Sequence, residues 1–496
     1  MLPHPVIIQG GMGAGVSGWR LARAVSSLGQ LGVVSGTALD QILIRRLQDG
    51  DPGGHMRRGL AAFPFPEMSD RILRDYFIPG GKPAQSSYYV TAAHTKDEPR
   101  ALTENTIVAN FVEVFLARQG HTNPVGINYL EKVQIPLLPS LYGAMLANVG
   151  CVLMGAGIPL LVPGVLDRLA QHLPAEYTLH VTGAREGDDT ALRFDPGNYI
   201  PRDLAGNMAD LHRPAFLAIV SSNTLAATML RKANGRVDGL VIETRTAGGH
   251  NAPPRGKLQL TSTGEPVYGE RDAIDFAKIR DLGAPFWLAG GYGSPDKLRE
   301  ALALGATGVQ VGTAFAFTRE SDLRDDLKQA LLEKASRNEA HVFTDPLASP
   351  AGFPFKIAQL EGTASEQAVS DARPRICDLG FLSEVVRSED GTLIHRCPAE
   401  PLSLYLSKGG EADDAVGRKC LCNALMANIG HAQVRCGHHV EPPLITAGDD
   451  LTQIARFLPE NESTYSAADV LHALLTGISP GTELTAAAAE TILAAT

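Results

Sequence analysis

Eight short apolar runs, each leading into a helical pattern, constrain this chain more than any other feature of its sequence. They are Val6–Gln9 (VIIQ), Gly32–Ser35 (GVVS), Val125–Asn128 (VGIN), Val152–Gly155 (VLMG), Phe216–Val220 (FLAIV), Gly239–Glu243 (GLVIE), Phe286–Ala289 (FWLA) and Val309–Gly312 (VQVG). Runs that are apolar on both faces are the mark of parallel strands buried beneath helices. The intervals carry helical patterns, Leu21–Leu28 and Pro295–Leu304 most clearly. The second opens with Ser294 as N-cap and Pro295 at the first helical position, and Gly305 stops it. Eight alternating strand–helix units predict an α/β chain closed into a (β/α)8 TIM barrel rather than a doubly wound sheet.

Two insertions interrupt that count. Residues 40–123 are mostly helical around a Pro- and Gly-rich middle (FPFPEM, IPGGKP). They fall between the second and third strands, where they would cover the C-terminal mouth of the barrel. Residues 177–194 alternate around a turn rich in Gly and Asp and predict a β-hairpin. The barrel with its insertions takes residues 1–342. From about Phe343 the pattern changes, and residues 343–496 form a C-terminal extension holding all but one of the six cysteines. Apolar stretches such as Leu425–Ile429 alternate there with loops and no linker intervenes, so the extension should pack on the barrel as part of one folded unit. It closes with a helix opened by Ser466 and Asp469, a capping-box start, and an Ala-rich tail.

Composition narrows the function classes. Asp and Glu number 54 against 44 Lys and Arg, a net charge of −10, which disfavours nucleic acid and anionic lipid as partners. No apolar stretch reaches the ~20 residues of a membrane span, and the N-terminus shows no secretory signal. The expected setting is cytoplasmic, with reduced cysteines. A small-molecule substrate is the expected partner, and a homo-oligomer is compatible with it.

Glycine-rich turns carry the chemistry. Gln9–Val16 (QGGMGAGV) follows the first strand, where glycines let backbone N–H groups approach a flat or anionic ligand. A tight strand–helix turn explains it equally well. As a dinucleotide fingerprint it would need Asp40 as the ribose partner, and Asp40 lies beyond the second strand. Ala289–Ser294 (AGGYGS) and Val309–Thr313 (VQVGT) are more telling, because the loops after strands seven and eight of such barrels often bind phosphate. Val241–His250 (VIETRTAGGH) leaves strand six toward the same mouth. His250 is placed for acid–base work, though a lone His is more often structural. Glu243 needs a partner if buried: a ligand hydroxyl or ring N–H, or a loop backbone.

These segments together resemble the nitronate monooxygenase (2-nitropropane dioxygenase-like) family of FMN-dependent barrels, which shares its motifs with the flavin enoyl-acyl-carrier-protein reductases. The resemblance covers about Val6 to Phe317 and rests on IIQGGMGAGVS, GIN, ETRTAGGH, LAGGYGS and GVQVGTAF. It implies that Gly11 and Met12 pack on the flavin, that Asn128 and Glu243 bond its polar groups, and that Gly248 and Gly249 line it. Gly290, Gly291, Gly312 and Thr313 would hold the phosphate, with Gln310 close by, and His250 matches the catalytic histidine. The implied activity is oxidation of a small nitronate-like substrate with O2. An alternative is NAD(P)H-dependent reduction of an enoyl thioester or quinone, and a third is a flavin-binding assembly or sensor protein. The chain departs from the family in its insertions, its extension, and the Asn-Ala-Pro-Pro-Arg255 that follows His250. Arg255 could meet a substrate carboxylate or phosphate, or be a solvated loop charge. Cys377, Cys397, Cys420 and Cys422 match the count of a zinc site or an iron–sulfur cluster, or are reduced core thiols.

Overall fold

A computed structural model describes residues 4–204, 206–435 and 439–476. The Ala-rich tail and Cys436 lie outside the described residues. Eight parallel strands close into a barrel: β1 (Ile7–Gln9), β2 (Leu31–Ser35), β3 (Val125–Leu130), β4 (Cys151–Gly155), β5 (Ala215–Val220), β6 (Gly239–Glu243), β7 (Phe286–Ala289) and β8 (Gly308–Val311). All eight predicted runs are these strands. Closure is made by β1, where Ile8 stands beside Leu31 of β2 on one side and Gln310 of β8 on the other.

The strand period of two sets the floor of the site. Ile8, Val33, Leu153, Leu217, Val241 and Trp287 form a dry cluster inside the barrel. Two residues further along each strand the same inward face reaches the C-terminal rim. There it presents Gly10 after Ile8, Glu243 after Val241, Ala289 after Trp287 and Ile219 after Leu217, all of which line a cavity. An apolar barrel interior that ends at the rim in small or apolar residues around Glu243 is therefore written into alternate residues of single strands.

The insertion at 40–123 reaches the mouth only at its edge, where the His94 ring lies 5.5 Å from that of Phe381. Helix Arg100–Ala117 packs against Trp19–Ser27 and Leu137–Leu146 and takes a place in the outer ring. Buried almost all round, it holds Glu113 against Arg46 at 2.7 Å, and Arg46 also reaches Asp322 at 2.8 Å. Residues 40–123 line no part of the rim cavity. That closure comes from beyond residue 343. Strand Val342–Asp345 pairs antiparallel with Phe355–Ala358, which pairs in turn with Gly249–His250.

The hairpin forms as Ala175–Thr178 against Ala191–Phe194. Ser294 caps its helix by accepting from Lys297 N–H, and Ser466 and Asp469 form the expected capping box. Among the described residues no helix is long and apolar enough to cross a membrane.

Candidate active site

One cavity at the C-terminal rim gathers the residues singled out from the sequence. Gly11 and Met12 follow β1, Asn128 lies on β3, and Glu243, Gly248, Gly249 and His250 follow one another from β6. Gly290 and Gly291 leave β7, while Gln310, Gly312 and Thr313 end β8; all line the same space. The backbone explains two of the glycines. Gly290 has φ +86°, and a Cβ there would sit 2.5 Å from Thr244 Oγ1. Gly248 lets a distant segment approach: a Cβ there would lie 2.6 Å from the carbonyl carbon of Ala447.

The polar groups of the cavity are short of partners within the protein. Gln310 Oε1 is buried with no hydrogen bond. Burial pushes the Glu243 carboxyl up to about 7. A ring-bearing ligand with N–H and hydroxyl donors would satisfy both atoms, and the N–H groups of the 290–291 and 312–313 turns suit an anionic end. The residues present thus fit FMN. Glu243 also yields a prediction. A carboxyl whose folded pKa is raised stabilises the fold fully below its unfolded value and loses that contribution as pH rises through the folded value. The flavin-free protein should therefore lose stability between pH 4.5 and 7, by up to roughly 3 kcal/mol. Glu243→Gln should flatten that loss in a thermal-unfolding series, and an unchanged slope would assign it to another group.

His250 is fixed on two sides. Its ring lies 4.7 Å from that of Phe355 at 66° and 6.1 Å from that of Phe353 at 81°. Its Nε2 lies 2.7 Å from Ser349 Oγ. Ser349 Oγ also accepts from Ala351 N–H, and donation of its own proton to Nε2 corresponds to the tautomer with the ring proton on Nδ1. Burial, with the nearby charge of Lys132, pushes the imidazole down to about 4. At neutral pH His250 is a neutral ring that can donate from Nδ1, suited to polarising a substrate oxygen more than to taking a proton.

Two expectations are corrected. Arg255 is exposed and does not line the cavity. Its backbone N–H donates to Asp272 Oδ1 at 2.8 Å. The metal expectation for Cys377, Cys397, Cys420 and Cys422 finds no support, since no group of three or more His, Cys, Asp or Glu among the described residues is arranged to hold a metal ion. The Cys377 and Cys397 thiols are hydrogen-bonding neighbours, Cys420 takes a contact from Asn423 Nδ2 at 3.6 Å, and Cys422 faces the rim cavity.

Sequence reasoning missed the far wall. Phe355, Phe381, Leu382, Leu425, Thr446 and Asp450 line the cavity with Cys422, and Ser349 holds the histidine. None sits in a motif that the barrel pattern would mark. The only signal near them was the C-x-C pair, which suggested metal.

The fold and cavity define a (β/α)8 barrel with one Gly-rich cavity at the C-terminal ends of its strands. Residues 203–347 match the family model described as nitronate monooxygenase. It is 28% identical over 265 residues to a nitronate monooxygenase of Pseudomonas aeruginosa, covering 52% of this chain and 65% of that protein. Over 122 residues, 25% of this chain and 30% of the relative, it is 30% identical to a Rhodococcus jostii protein. That relative is named (3aS,4S,5R,7aS)-5-hydroxy-7a-methyl-1-oxo-octahydro-1H-indene-4-carboxyl-CoA dehydrogenase. The matched stretches span between about a third and two thirds of these curated relatives. Among solved structures, FabK from Thermotoga maritima superposes with a TM-score of 0.45 at 16% identity, covering 96% of this chain and 92% of that one.

Proposed function

We propose that this protein is an FMN-dependent oxidoreductase that oxidises a small nitronate-like substrate with O2. The observation that carries the reading is the convergence of the five motif segments, with His250, on one cavity. FMN would lie with its phosphate toward Gly290, Gly291, Gly312 and Thr313 and its ring toward Gly11, Met12, Asn128 and Glu243. When bound it supplies the electron-accepting ring, and the protein supplies orientation and electrostatics. The side chains then act on the substrate. His250 donates a hydrogen bond from Nδ1, Lys132 adds positive charge at the mouth, and Phe355, Phe381 and Leu382 exclude water. An anionic nitronate suits a neutral donor beside a cation.

A second reading has its own observation. Val133, Phe381 and Leu382 also line an adjoining chamber with Lys132, His180 and Arg418 on its walls. That space exceeds what a small nitronate fills, and one relative is named for a CoA thioester. It supports NAD(P)H-fed reduction of an enoyl thioester or quinone. Anaerobic mixing separates the two: nitronate bleaches the flavin under the first reading, and NADH or NADPH under the second. Bleaching by neither leaves a flavin-binding assembly or sensor role.

Ser349 gives a test of the histidine. Ser349→Ala should retain flavin and lower kcat about fivefold, the scale of one hydrogen bond of about 1 kcal/mol. The acid limb of the pH–rate profile should move upward, because the neutral ring loses the donor that favours it. A lowered kcat with an unmoved limb would make the contact packing alone.

A further inference from the structure

The phosphate end of the cavity is closed by a segment outside the barrel, and that segment brings a carboxyl with it. Gly448 N–H donates to Thr313 Oγ1 at 2.9 Å, and Asp449 N–H donates to the carbonyl of Thr246 at 3.0 Å. Gly248, bare of Cβ, takes Ala447 against its backbone. The 446–450 segment is thereby docked on the turn after β8 and on the turn after β6, both of which line the cavity. Next in the chain is Asp450, which lines the cavity. Its Oδ2 lies across Gly293, where a Cβ would be 2.9 Å away, and the neighbouring Thr313 hydroxyl favours its ionised form. Among the described residues it makes no ion pair, unlike Asp449, whose carboxylate is held by Lys356.

An ionised carboxylate at this point would repel a phosphate placed between the two turns. A carboxylic acid would instead donate a hydrogen bond to it, and a donor to an anion is among the stronger hydrogen bonds. The charged and titratable groups facing Asp450 are few. Arg456 favours its ionised form, while Asp449 opposes it. Tyr465 is also near, but its hydroxyl is spent on the carbonyl of Ala314. Burial, the largest influence, outweighs the Thr313 hydroxyl and Arg456, which both favour the ionised form, and raises the carboxyl above its ordinary range.

We propose that Asp450 enters the cofactor site as a carboxylic acid, donating its proton to the phosphate held between the 290–293 and 312–313 turns. The inference rests on the FMN reading of the cavity. It makes flavin uptake proton-linked: above the pKa of free Asp450, each FMN bound brings one proton from solvent onto the protein. It also makes the segment beyond residue 343 part of the cofactor site.

Two measurements on the full chain test this. FMN release from the holoprotein is followed by flavin fluorescence on dilution between pH 7 and 9, where the second ionisation of the cofactor's phosphate, near about 6, is complete. Wild-type Kd should rise about tenfold per pH unit along the alkaline limb, as one linked proton requires, whereas Asp450→Asn should stay flat. Calorimetric FMN binding to the wild type at pH 8, in Tris and in HEPES, counts the proton without relying on the variant: uptake should approach one. Parallel Kd–pH curves for the two proteins, or no proton uptake, would overturn the role of Asp450 while leaving FMN binding intact. Failure of the wild type to bind FMN at any pH would overturn the cofactor reading and this inference together.

Discussion

Gly290→Val should purify without flavin and fail to take it up. The backbone at Gly290 lies in the left-handed region, φ +86°, which a β-branched residue adopts only under strain of order 1–3 kcal/mol. The added Cβ would also press on Thr244 Oγ1 at 2.5 Å and on Ala247 N at 2.9 Å. These contacts shape the turn, since Thr244 Oγ1 bonds both the Gly290 carbonyl at 3.1 Å and Thr246 Oγ1 at 2.7 Å. The turn cannot accept the side chain without turning its N–H groups from the cavity. FMN affinity should fall by at least roughly 100-fold, equivalent to about 2.7 kcal/mol. The strands below keep their pairing, so the far-ultraviolet circular dichroism should be unchanged. A variant that still carries full flavin would remove this turn from the phosphate site.

His250→Asn should behave in the opposite way, keeping its flavin and losing turnover by about 100-fold, the scale of a positioned proton-handling or polarising group. Asparagine retains a donor but lacks the ring that packs at 4.7 Å on Phe355 and the nitrogen that meets Ser349 Oγ at 2.7 Å. The wild-type rate should be level around neutral pH and fall only as the ring protonates toward about 4. Undiminished turnover in the variant would make His250 a wall residue. Loss of flavin along with turnover would show that the Gly-Gly-His turn holds the cofactor.

Local pattern carried most of the barrel into view. A strand buried on both faces announces itself by continuous apolar residues, and a rim turn by glycines directly after it. Val241 and Glu243 were therefore placeable from one short run, as were Gly290 and Gly312. The far wall had no such signature. Phe381, Cys422 and Asp450 line the cavity, and Ser349 meets His250, beside the pairing of Phe355–Ala358 with Gly249–His250 and the docking of Ala447 on Gly248. Such contacts join residues far apart in the chain and leave no periodic trace. The insertion misled for a related reason. Helix 100–117 is buried nearly all round, as a ring helix packed on several sides should be, but the insertion's position between two strands suggested a cover for the mouth. Arg255 misled because proximity in sequence to His250 says little about where a loop turns.

The cofactor is the centre of this account, and its content in the purified protein tests it most directly. Protein expressed with ample flavin should be yellow. Denaturation should release FMN, and not FAD, at close to one per chain. A colourless protein that also fails to bind added FMN would contradict the account.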